Sequence, residues 1–164
     1  MALPVRALPP ASGREVTKDD QAVLYVDGAS FGNPGPSGIG LVLAQGDRVL
    51  VDLSQDIGWG TNNQAEYRAL IAGLNEAIQR GIRSLLVRSD SQLLVRQVTG
   101  EYKVKDRKLK VLMSEIQGLL SKFEKVRFEH VRRELNERAD ELAKAGAEAA
   151  QARGVGPAQQ EIFE

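Results

Sequence analysis

Four carboxylates, Asp27, Glu66, Asp90 and Asp140, hold the chemical interest of this 164-residue chain. Asp27 follows the strand-forming run Ala22-Val23-Leu24-Tyr25-Val26, and Asp90 follows a similar run over 82–89. In an open α/β sheet, ligands gather in the crevice outside the carboxyl ends of strands. Glu66 opens a helix-forming stretch after Thr61-Asn62-Asn63-Gln64-Ala65, and Asp140 lies one helical turn after Asn136, on the same face. Four carboxylates in one cleft would repel and raise one another's pKa values, a conflict that divalent cations remove. Ligand oxygens alone suit Mg²⁺ or Mn²⁺. Two such ions about 4 Å apart can activate a water and stabilise the leaving oxygen of a phosphodiester. Each residue also has an ordinary explanation: a terminal aspartate caps the next element, Glu66 in a first helical turn favours the positive end of the dipole, and Asp140 is an exposed charge. Spacing alone does not bring them together in space.

Composition narrows the chemistry. Cysteine is absent and His130 is the single histidine, so thiolate catalysis, disulfides, zinc–thiolate centres and multi-histidine sites are excluded. No apolar run approaches the roughly 18–20 residues of a membrane-spanning helix. Arg6, three prolines and no apolar core in the first ten residues argue against a secretory signal, so the expected location is the cytoplasm. Lys+Arg and Asp+Glu balance at 22 each. The charge is nevertheless segregated: residues 80–110 hold nine Lys/Arg against three Asp/Glu, whereas 134–164 hold three against seven. A local basic face is compatible with a neutral total.

The elements that must position these groups follow from pattern. Residues 1–20 and 150–164, with their prolines, glycines and polar runs, read as flexible tails, leaving one domain at 21–149. Strands are expected at 22–26, 39–45 and 48–57, with a glycine- and proline-rich loop over 31–38 and a turn at Gly46-Asp47. Tyr67, Leu70, Ile71, Leu74, Ala77 and Ile78 recur at helical spacing, with Thr61 or Asn62 as N-cap and Gly81 as the stop. A strand over 82–89, a short helix over 91–98, a longer amphipathic helix marked by Leu109 to Phe123, a strand over 125–132 and a last helix carrying Leu135, Ala139, Leu142 and Ala143 complete the order βββαβααβα. A meander followed by alternating helices and strands implies an α/β fold with a mixed sheet covered by helices.

The motifs Tyr-Val-Asp-Gly-Ala-Ser (25–30), Gly-Asn-Pro-Gly-Pro-Ser-Gly (32–38), Thr-Asn-Asn-Gln-Ala-Glu (61–66), Ser-Asp-Ser-Gln (89–92) and Asn-Glu-Arg-Ala-Asp-Glu-Leu-Ala (136–143) occur in that order. Over residues 22–147 the chain resembles type 1 ribonuclease H. The resemblance implies a five-stranded mixed sheet, three antiparallel strands then two parallel additions, with helices on both faces. It also implies hydrolysis of the RNA strand of RNA–DNA hybrids, leaving 5′-phosphate and 3′-hydroxyl ends. Asp27, Glu66, Asp90 and Asp140 are then the catalytic carboxylates that bind two Mg²⁺ ions, with Mn²⁺ as a substitute. Gly28, Asn33, Thr61, Asn62, Asn63, Gln92 and Asn136 match substrate-contacting positions. Glu66 would also accept from the ribose 2′-hydroxyl, and the helix N-terminus at Thr61-Asn62 would suit a phosphate.

The chain departs from the fullest family pattern twice. The basic protrusion of many members is reduced to Lys103, Lys105, Arg107, Lys108 and Lys110, which implies weaker, salt-dependent hybrid binding. His130 stands ten residues before Asp140, where relatives carry a catalytic histidine, yet its alternation with Val126 and Phe128 puts it on a strand face. The expectation is a structural or peripheral His130, with Arg133 a candidate to act near the leaving group or product phosphate. A monomer is the default. Two other readings stand beside the hydrolase: a catalytically silent hybrid-binding domain on the same fold, and a different enzyme of a related fold, either a transposase-like nuclease or an actin-like phosphotransferase. The last is disfavoured by the absence of a Walker-type Gly-Lys-Ser/Thr motif.

Overall fold

The computed structural model describes residues 21–157; the expected tail at 1–20 and residues 158–164 lie outside the described residues. Strands β1 (Gln21–Ser30), β2 (Gly35–Gln45) and β3 (Arg48–Gly60) form the meander. They are followed by α1 (Asn62–Gln79), β4 (Ser84–Ser89), α2 (Gln92–Val98), α3 (Arg107–Leu120) and β5 (Lys125–His130). A single 3-10 turn (Arg133–Leu135) leads into α4 (Glu137–Arg153). The sheet order is β3-β2-β1-β4-β5, antiparallel among the first three strands and parallel from β1 to β4 to β5. Among the described residues, no helix is long and apolar enough to cross a membrane.

Period-two alternation decides which face each helix covers. Ala22, Leu24 and Val26 of β1 and Ile39, Leu41 and Leu43 of β2 point to one side, where they are buried with Tyr67, Leu70 and Leu74 of α1 and Ile116 of α3. The opposite side of β2 presents Gly38 and Gly40 to α4, whose Ala139, Ala143 and Ala147 are fully buried. A β-carbon on Gly40 would fall within 3.0 Å of the Ala139 carbonyl oxygen and Ala143 nitrogen, so α4 rides directly on bare sheet backbone. The helix ends follow capping chemistry. Thr61 and Gln64 form a reciprocal capping box at α1, Ser91 caps α2, Asp106 caps α3, and Gly81 and Gly154 take left-handed φ values of 73° and 78°.

Several boundaries differ from the sequence reading, because pairing and packing, rather than a local signal, set where these elements end. The loop expected at 31–38 is shorter, because β2 already pairs with β3 at Gly35↔Gly60. The Ser30 and Ser37 hydroxyls both donate to the Gly60 carbonyl, at 2.9 and 3.2 Å, which closes that end of the meander. Strand β1 runs on to Ser30 because its pairing with β2 continues to Ser30↔Ser37. Strand β5 stops at His130, opposite the last residue of β4. Helix α4 extends into the expected C-terminal tail, with Ala150 fully buried and Arg153 clasping Asp56 at 2.8 and 3.0 Å.

The glycine contact gives a stability prediction. Gly40→Ala should destabilise the protein by about 1–3 kcal/mol through overpacking. A urea melt that matches wild type would show that α4 can lift off β2 without cost.

Candidate active site

Parallel pairing of β1 with β4 stops at Val26↔Ser89, so the next residues, Asp27 and Asp90, emerge side by side at the edge of that ladder. Asp27 is a strand end only towards β4, since towards β2 it still pairs with Gly40. Neither aspartate is a cap: the cap of α2 is Ser91, whose hydroxyl accepts from the Leu94 N–H at 3.1 Å. The ordinary explanation for Glu66 also fails. Helix α1 begins at Asn62 and has no acidic residue in its first turn, so Glu66 lies beyond the reach of the helix end. What holds Glu66 is β1: its Oε1 accepts from the Gly28 N–H at 3.0 Å. This bond needs glycine, because a β-carbon at Gly28 would strike the backbone of Ala65 and Glu66.

The carboxyl oxygens of Asp27, Glu66 and Asp90 lie within 4.8 Å of one another. Asp140 lies close enough for its charge to act on Asp27, Glu66 and Asp90 alike. It is placed by α4, which starts at Asn136. The Asn136 side chain is buried and donates from Nδ2 to the Val26 carbonyl at 2.9 Å, one residue before Asp27. Asn136 was expected among the substrate contacts; 2% exposure instead makes it a strut between β1 and α4. Gly28, half-buried, turns its bare α-carbon to α1. Lys144, one turn beyond Asp140, reaches Asp140 Oδ2 at 3.1 Å, and Arg133 approaches Oδ1 at 3.9 Å. Sequence reasoning missed Lys144, although its i,i+4 spacing from Asp140 was the available signal.

Burial and mutual repulsion show in the titration of the cluster. Burial, then the charges of Glu66 and Asp90, push the Asp27 carboxyl up to about 9. Burial, then Asp90, push Glu66 up to about 8, against the lowering effect of the Gly28 N–H. Asp90 is raised by burial and by Asp140, with Arg133 opposing. Oxygen-only donors that resist ionisation together fit a hard divalent cation, which stabilises all the charged forms at once.

The remaining expected residues form a rim around the cluster or stand away from it. Asn33, Asn62, Asn63 and Gln92 are exposed, and Thr61 is half-buried. Asn33 Oδ1 accepts from the Asn62 backbone N–H at 3.0 Å, and Thr61 Oγ1 accepts from the Gln64 N–H at 3.1 Å. The glycine-rich loop thereby already occupies part of the α1 terminus expected to receive a phosphate. His130, exposed at the end of β5, lines a separate hollow of about 470 Å³ with Tyr25, Arg88, Glu129 and Arg132.

Raised carboxyl pKa values carry a signed consequence. In the unfolded chain these groups titrate near about 4, whereas folded Asp27 and Glu66 keep their protons to about 9 and about 8. Between those limits the metal-free folded state binds more protons than the unfolded state, so stability falls as pH rises from about 4 towards about 9. Asp27→Asn should therefore melt above wild type at pH 8 in EDTA, with the gap closing towards pH 4. Mg²⁺ should raise the wild-type melting temperature more than that of the variant. A gap independent of pH would contradict the assigned repulsion.

A family model described as reverse transcriptase-like matches residues 25–146. A bifunctional protein of Mycobacterium tuberculosis is 44% identical over 132 residues, covering 79% of this chain and 36% of the relative. The ribonuclease HI of Halobacterium salinarum is 47% identical over 120 residues, covering 73% and 60%. The chain thus spans about a third to three-fifths of the length of these relatives. Among solved structures, the N-terminal ribonuclease H domain from Mycobacterium tuberculosis superposes with TM-score 0.80 at 42% identity, covering 82% of this chain and 99% of that one. The LC11 ribonuclease H1 in complex with an RNA/DNA hybrid gives 0.74 at 39%, covering 79% and 99%. A family match over most of the folded body, a shared sheet order and these likenesses agree: the chain belongs to the type 1 ribonuclease H family.

Proposed function

We propose that this protein is an endonuclease that hydrolyses the RNA strand of RNA–DNA hybrids, leaving 5′-phosphate and 3′-hydroxyl ends. The observation that carries the reading is the convergence of Asp27, Glu66 and Asp90, with the charge of Asp140 acting on them, where the central β1–β4 ladder of a ribonuclease H family member ends. The LC11 relative, bound to such a hybrid, supports the substrate class.

Asp27, Glu66, Asp90 and Asp140 would hold two Mg²⁺ ions, which would supply an activated water and stabilisation of the leaving oxygen. The chain's own groups set the geometry. The Gly28 N–H orients Glu66, and Asn136 fixes the start of the helix that carries Asp140. Lys144 and Arg133 offset the charge on Asp140 and leave two cations at the margin, where a product phosphate would dwell. Asn33, Asn63 and Gln92, all exposed, would read sugars and base edges in the minor groove. His130, exposed at the end of β5, would stay peripheral to the carboxylate cluster.

The test is cleavage of a labelled hybrid with Mg²⁺, with single-stranded RNA and both homoduplexes as controls. Asp27→Asn or Glu66→Gln should lower kcat by more than about a hundredfold with the fold retained. His130→Ala should keep kcat within about threefold, since it removes no group from the carboxylate cluster. Hybrid binding without cleavage across several divalent metals would leave a silent binding domain. Loss of activity in His130→Ala comparable to Asp27→Asn would return the histidine to the mechanism.

A further inference from the structure

We propose that Tyr67 and Gln97 are positioning residues that set where the basic segment 103–110 stands relative to α1, and thereby how it grips the phosphates of a bound duplex; the proposal rests on the hybrid-nuclease reading. Tyr67 directly follows Glu66 in α1 and is 1% exposed. A buried phenol needs a polar partner for its hydroxyl. It donates to Gln97 Oε1 of α2 at 2.5 Å, and Gln97 Nε2 donates onward to the Lys103 carbonyl at 3.3 Å. Both functions of one flexible amide are used, and two hydrogen bonds join the helix that carries Glu66 to the backbone of the first lysine in the segment.

The surroundings agree with a device of this kind. Tyr102 is fastened to Arg96 through its N–H at 3.0 Å, through its hydroxyl at 3.1 Å and by the guanidinium over its ring at 5.2 Å. Those contacts tie the segment to α2, and the Tyr67–Gln97 bond carries the tie on to α1. Asp106 caps α3, the helix that begins with Arg107. The upstream arginines are already engaged: Arg80, Arg83, Arg88 and Arg96 pair with Glu76, Glu124, Glu129 and Glu101. Lys103, Lys105, Arg107 and Lys110 form no ion pair among the described residues, and the first three are exposed like Lys110. Their placement, rather than their number, then decides how many phosphates they meet.

Tyr67→Phe removes only the hydroxyl, and Gln97→Ala removes both links. Steady-state cleavage of a labelled hybrid across a KCl titration separates their effects. Each variant should raise KM by about three- to tenfold at low salt, the worth of a hydrogen bond, with kcat within about twofold. The slope of log KM against log salt should become shallower by about one lost phosphate contact. Tyr67→Phe should add nothing in the Gln97→Ala background, and the double variant Lys103→Gln/Lys105→Gln should reproduce the shallower slope. Amide hydrogen exchange at 103–106 gives an independent reading, with faster exchange expected in Gln97→Ala. Wild-type KM and slope in both single variants, a loss confined to kcat, an unchanged slope in the lysine variant, or unchanged exchange would each overturn the proposal. A wild-type protein that neither binds nor cleaves the hybrid would overturn the nuclease reading and this one with it. A cleaving wild type with unresponsive variants would overturn this one alone.

Discussion

Carboxylates forced together in a partly dry cleft are the constraint around which this fold is built. Oxygens of Asp27, Glu66 and Asp90 share a space of 4.8 Å, and in the metal-free protein that proximity shows as protons held far above the ordinary carboxylate range. Side chains free to move would relax apart. These cannot, because each leaves a different rigid element: the middle of β1, the second turn of α1 and the end of β4. A cluster unstable by itself is therefore maintained by packing energy stored elsewhere in the molecule, and a hard cation is the partner that releases the conflict.

The supporting structure consists largely of close backbone approaches. Gly28 lets α1 descend onto β1 until the strand N–H meets Glu66, and Gly38 and Gly40 do the same for α4 on β2. Because Gly40 sits opposite Asp27 in the β1–β2 register, the contact that seats α4 also fixes the level at which Asp140 arrives. Asn136 adds the lateral constraint by tying the start of α4 to the residue before Asp27. Arg138 and Arg153 anchor the exposed side of that helix on Asp52 and Asp56 of β3. Exposed pairs of this type contribute little to stability, but two of them a helix-length apart restrain rotation about the helix axis.

Much of this was legible in the residues. Alternating apolar runs and helical periodicity gave the element order, and the switch from meander to alternating helices and strands anticipated the mixed sheet. The cap at Thr61 and the stop at Gly81 were readable because capping depends on one or two local side chains. Strand ends were not, because β1 and β2 continue wherever a partner offers hydrogen bonds, and the partner is distant in sequence. The same limit applies to the site. The four carboxylates were visible as residues with no firm local purpose, and the family motifs joined them. The parts that Gly28 and Asn136 play in seating α1 and α4 were not legible, since a residue matched by motif does not disclose what it does for the neighbouring helix. Tyr67 looked like one more apolar position in the α1 stripe. Only its hydroxyl, placed against Gln97 by the docking of α2, separates it from a core leucine.

Charge segregation acquires a sharper meaning once partners are known. The chain is neutral in total, yet its four arginines between 80 and 96 are neutralised within the fold. The acidic excess of the last third is partly taken up by Arg138, Lys144 and Arg153 at the surface of α4. The exposed basic segment 103–110 and the carboxylate cleft then stand in one molecule. A polyanion is drawn to the first and repelled by the second until the cleft is neutralised. On the proposed reading, binding of divalent cations and binding of a phosphate backbone would be coupled by electrostatics, each lowering the cost of the other.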